Sequence, residues 1–154
     1  MSNQKICTFY VSDNHLFTII LPYINELIND KKECVIISEK DLSSSLNKIL
    51  SNITSFPFEK EQIENLGFKK FKGKVDNLAL SEKEVFVIGN PKYVKELNSK
   101  LEIKKVEKII NCYAIKNLEE MENIPKDYEY VLSTKGIIKI SQNEQKRKTI
   151  KSQI

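Results

Sequence analysis

The chain has 154 residues, 40% hydrophobic and 30% charged, which fits one globular domain with one hydrophobic core and excludes a disordered chain. Three cysteines, Cys7, Cys34 and Cys112, sit in apolar runs, and their odd number argues for reduced, buried thiols and against a disulfide scaffold. Most of the net charge of +4 lies in residues 142–154, where Lys146, Arg147, Lys148 and Lys151 face only Glu144; the nearly neutral body offers little electrostatic footprint for nucleic acid.

Residues 6–11, "ICTFYV", are β-branched and aromatic, and the polar turn "SDN" follows them, which predicts a first strand ending near Tyr10. Ser12 or Asp13 caps the next helix. Its apolar positions Leu16, Phe17, Ile20, Leu21, Ile24, Leu27 and Ile28 cover more than one face, and Pro22 inside it predicts a kink. This apolar stretch is interrupted by polar residues and falls short of the roughly 20 residues that span a bilayer. The N-terminus lacks the charged lead and apolar centre of a signal peptide, so the expected location is the cytoplasm, with no membrane contact.

The run "ECVIIS" over 33–38 predicts a second strand covered on both faces, and Leu42, Leu46, Ile49, Leu50 and Ile53 predict the helix after it. Residues 54–81 are harder to read; a short helix over 59–65 and a strand over 67–71 are expected. "EVFVIG" over 84–89 predicts a further strand, followed by a helix with Asn90 as N-cap, Pro91 at its first position and a stripe of Val94, Leu97 and Leu101. Residues 106–115 predict another strand, 118–130 one or two short helices divided at Pro125, and 136–140 a last strand. This alternation predicts an α/β three-layer sandwich with a largely parallel sheet over residues 1–141, its central strands including 6–10, 34–37 and 85–88, and a flexible basic tail over 142–154.

In such sheets ligands bind beyond the carboxyl ends of the strands. Those ends carry Tyr10, Ser12, Asp13, Asn14 and His15 after the first strand, Ser38 and Glu39 after the second, Asn90 and Lys92 after "VFVIG", and Tyr113 near the end of the next. Tyr10, Ser12, Asp13, Asn14, His15, Ser38 and Asn90 are the candidate ligand contacts, although Ser, Asp and Asn at these places also serve as helix caps. The four glycines, Gly67, Gly73, Gly89 and Gly136, form neither a phosphate loop nor a dinucleotide fingerprint. No catalytic residue, cofactor or metal is implied. His15 is the single histidine, the cysteines form no C-x-x-C pair, and thiols in mid-strand are desolvated and unreactive. In "FKKFKGK", Lys69, Lys70 and Lys72 alternate with aromatics, as in surfaces that stack bases and contact phosphates, and Lys146, Arg147 and Lys148 could add to such a surface; the competing account is an edge strand whose lysines prevent edge pairing.

Residues 5–42, "KICTFYVSDNHLFTIILPYINELINDKKECVIISEKDL", resemble the start of MEDS domains, sensory modules of prokaryotic regulators and sensor kinases. The shared features are the strand "ICTFY", an acidic turn, a helix with an internal "LPY" and a second apolar strand after a charged turn. Lys5 departs from the histidine that many members carry there. The resemblance implies a RecA-like, Rossmann-like core without a phosphate loop, used for sensing. It implies a stand-alone, non-catalytic sensing or regulatory domain that binds a small ligand or a protein partner. A small enzyme with its site at the strand ends and a nucleic-acid-binding accessory protein are the competing expectations.

Overall fold

A strand covered on both faces needs apolar side chains at successive positions, and "ICTFY", "CVIIS" and "EVFVIG" meet that demand. The computed structural model describes residues 4–52, 59–101, 106–116 and 128–139. In it these runs become β1 (Gln4–Tyr10), β2 (Cys34–Ser38) and β3 (Glu84–Gly89), joined by β4 (Lys108–Ala114), β5 (Tyr130–Ser133) and β6 (Gly136–Lys139) in one sheet of order β2-β3-β4-β1-β5-β6. All neighbours are parallel except β5 and β6. The helices α1 (Asp13–Asn29), α2 (Ser43–Asn52), α3 (Lys60–Asn65) and α4 (Pro91–Leu101) complete a three-layer α/β sandwich. Among the described residues no helix is long and apolar enough to cross a membrane.

The core divides in two, a correction to the single core expected from chain length. Successive strand side chains point to opposite faces, so on β3 Phe86 and Ile88 join α1, α2 and α3, whereas Val85 and Val87 join α4 on the other side. Helix α1 buries Leu16, Phe17, Ile19, Ile20, Leu21, Ile24 and Leu27 against the first face. Each such side chain contributes about 1.5–3 kcal/mol. The helix is assigned without a break through Pro22; Pro22 and Thr18 both lie on its exposed side, where solvent can reach the carbonyl that lacks its usual donor.

Two further expectations are corrected. Strand β2 is not central but terminal: Cys34 and Val35 are half-buried, and Ile36 to Ser38 are buried at the end where residues 68–71 fold along its outer edge. There Lys70 bridges to Ser38, the Phe71 N–H donates to the Ser38 carbonyl and the Leu42 N–H to that of Phe68, so the strand expected over 67–71 is reduced to one bridge. Residues 130–133, expected as helix at their start, form β5 and turn back through Thr134 and Lys135 into β6. Gly136 supplies the positive φ of 106° that leads out of this turn. The expected helices over 118–127 and the basic tail lie outside the described residues.

Candidate functional site

The chain leaves β1 into α1 on one face and leaves β3 into α4 on the other, so the loops part above the strand ends. A cavity of about 190 Å³ lies there, lined by Tyr10 at the end of β1 and Val11 to Asp13 beyond it, Glu39 and Lys40 after β2, Ile88 and Gly89 on β3, and Ala114 at the end of β4 with Ile115 beyond it. This is where an open α/β sheet places ligands.

The first wall is built by a helix cap. Ser12, with extended backbone (φ −152°, ψ 163°), is the N-cap of α1, and its Oγ accepts the His15 N–H at 3.1 Å. The His15 ring reaches back, its Nδ1 accepting the Val11 N–H at 3.1 Å. Backbone donors at the entry to α1 are thereby satisfied from both directions. Asp13 in the first turn complements the helix dipole, receives Lys40 Nζ on Oδ1 at 3.0 Å and accepts the Ser45 hydroxyl on Oδ2 at 2.8 Å.

The opposite wall centres on Glu39. Its Oε1 accepts the Asn90 N–H at 3.0 Å and its Oε2 accepts the Asn90 side-chain amide at 2.9 Å, while Asn90 Oδ1 caps α4 by accepting the Tyr93 N–H at 2.8 Å. Gly89 permits this approach: a Cβ there would stand 2.8 Å from Tyr93 Cδ2 and 2.9 Å from Glu39 Cβ. Ser38 is fully buried and its hydroxyl donates to the Lys40 carbonyl at 2.7 Å, which fixes the loop that presents Glu39 and Lys40. Tyr10, 4% exposed, also lines the cavity. Burial pushes its phenol well above the ordinary range, and Cys112, Asp13 and Glu39 push it the same way, so the hydroxyl stays protonated.

Comparison with protein-family models, curated proteins and solved structures gives no match for this chain. The site is therefore described by its own geometry. Of the residues expected from sequence, Tyr10, Ser12 and Asp13 line the cavity, Ser38 and Asn90 position its carboxylate wall, His15 supports the cap, and Asn14 is exposed with its carbonyl accepting the Thr18 hydroxyl. Tyr113 turns to the other face, where its hydroxyl shares a 2.7 Å hydrogen bond with that of Tyr128. Lys69, Lys70, Lys72 and Lys92 are exposed and do not line the cavity, and Lys146, Arg147 and Lys148 lie outside the described residues. Lys40 and Ala114 escape sequence reasoning because nothing in their local pattern marks them, and Gly89 reads only as the end of a strand; their place at or just beyond a strand's carboxyl end is the one available signal.

Little here resembles a nucleophile with its base. The Ser12 hydroxyl oxygen faces a backbone donor, and the His15 ring nitrogen nearest the turn is occupied as an acceptor. Cys7 and Cys112 are fully buried, and burial pushes the Cys112 thiol up and that of half-buried Cys34 to about 11. Among the described residues no three His, Cys, Asp or Glu side chains cluster as a metal site would require.

Proposed function

We propose that this domain is a non-catalytic sensing or regulatory module that binds a small ligand in the crevice above β1, β2, β3 and β4. The observation that carries this reading is the cavity itself, with hydrogen-bonded carboxylates on two walls and an apolar floor of Tyr10, Ile88, Ala114 and Ile115. Fixed polar groups around an apolar pocket suit recognition, because the side chains need little reordering when the ligand arrives. A second support is the origin of the lining. Residues 5–42, which resemble the start of MEDS sensory domains, supply six of the ten lining residues, so the resemblance and the cavity fall on one segment.

The test is a thermal-shift screen of small metabolites against the wild type and Ala114→Phe, which fills the cavity from β4. A ligand at about 100 times its dissociation constant stabilises the folded state by about 2.7 kcal/mol. The expected result is a compound that raises the wild-type melting temperature and leaves that of Ala114→Phe unchanged. Catalytic turnover of such a compound by the wild type, abolished in Ala114→Phe, would replace sensing with catalysis.

A further inference from the structure

We propose that the ligand of this crevice carries a protonated amine on a short apolar body. The inference rests on the binding function proposed above and names its chemical class. Among the lining residues Asp13 and Glu39 are anionic and Lys40 is the one cation, so the walls carry a net charge of −1. Lys40 is already committed to Asp13 at 3.0 Å. The N-terminus of α1 would by itself favour an anion, but Asp13 stands in that first turn, and an incoming anion would also meet Glu39 across the cavity.

Both carboxylates retain capacity. A carboxylate has about four acceptor positions, and each of these uses two: Asp13 toward Lys40 and Ser45, Glu39 toward the two Asn90 donors. Those partners hold the acceptors in place while leaving room for an ammonium group.

A second observation points to the same ligand. Tyr10, with 4% of its surface exposed, lines the cavity, and no group among the described residues hydrogen-bonds its hydroxyl. The fields of Asp13 and Glu39 both reach that hydroxyl, and an ammonium donating to it would be stabilised by the same fields. Tyr10, Val11, Ile88, Ala114 and Ile115 provide the apolar surface for the rest of the ligand. The 190 Å³ cavity holds about six water-sized groups at about 30 Å³ each, which suits a chain of four or so carbons bearing one amine.

Three probes of nearly equal size separate the alternatives: n-butylammonium, n-butanol and butyrate, titrated at constant ionic strength and followed by the amide NMR shifts of Ser12, Asp13, Glu39, Lys40, Gly89 and Ala114. Butylammonium is expected to bind most tightly and butyrate least. Asp13→Asn, Glu39→Gln and Tyr10→Phe, each checked for an unchanged fold by its remaining spectrum, are each expected to weaken butylammonium by roughly tenfold. Butanol or butyrate binding as well as butylammonium would overturn the amine while leaving the crevice as a binding site. Absence of crevice shifts with all three would overturn both the amine and the site. Butylammonium binding that is equal in wild type and all three variants would place the amine elsewhere and also defeat the proposal.

Discussion

Ser12 and His15 form a reciprocal turn, the hydroxyl oxygen accepting from one backbone N–H and the imidazole from another. Ser12→Ala is expected to cost about 0.5–2 kcal/mol in a denaturant titration, the usual value of an N-cap. The sequence left Ser12 and Asp13 as equal candidates for that cap, since both residue types cap helices; the geometry assigns it to Ser12 and leaves Asp13 to Lys40 and Ser45. His15 is correspondingly less independent of the cap than an isolated histidine, and replacing it disturbs the same turn. Gly89 is the other residue on which the site depends. Gly89→Ala places a methyl against Glu39 Cβ, which cannot swing away, and the expected loss is about 1–3 kcal/mol, together with displaced Glu39 and Asn90 resonances. An alanine variant with wild-type stability would show that this close approach is unnecessary.

Strand β3 carries a buried carboxylate at its first position. Glu84 is 1% exposed, its Oε1 accepts the hydroxyl of Tyr23 from α1, and its Oε2 has no partner among the described residues. Tyr23→Phe removes that donor and should cost about 1–3 kcal/mol, whereas Glu84→Gln keeps an acceptor for Tyr23 and should cost less. Chemical denaturation of the two variants checks the order; the reverse order would mean that the carboxylate is held by something other than Tyr23. Neither partner was legible from sequence, because the contact joins residues 61 apart across two elements. The strands themselves were legible where apolar runs are continuous, but such a run reports coverage of its faces and says nothing about its neighbours. Hence β2 could be recognised as a strand while its terminal position could not. Strand β5 was missed for a related reason: "YVLS" is short and follows a helix-like stretch, although the "STKG" turn before a second apolar run is a hairpin signal.

Across the whole molecule, α1, α2 and α3 on one face and α4 on the other enclose the sheet between two apolar layers, and several ionisable groups are enclosed with it. Val87 is fully buried in the second layer, so Val87→Asp should abolish cooperative folding, an unpaired buried charge costing several kcal/mol against a total stability of about 5–15 kcal/mol. The enclosed tyrosines and thiols give the fold a definite response to alkali. Burial is the largest cause raising Tyr10, Tyr23, Tyr128 and Cys112 well above their ordinary ranges, and it raises Cys34 from 9.0 to about 11. In the unfolded chain these groups release their protons from about pH 9 upward, while the folded chain keeps them, so over that range the folded state binds more protons. Their contribution to stability is therefore complete below about pH 9 and is lost as pH rises through about 11 for Cys34 and beyond for the others. Each proton retained by the folded state alone lowers stability by about 1.4 kcal/mol per pH unit. Melting temperatures followed by circular dichroism should be level from pH 7 to about 9 and fall steeply above it, with a shallower fall in Cys34→Ala because one of the withheld protons is gone. A level profile through pH 11 would mean that these hydroxyls and thiols ionise in the folded protein as freely as in the unfolded chain, against the desolvation that their burial imposes.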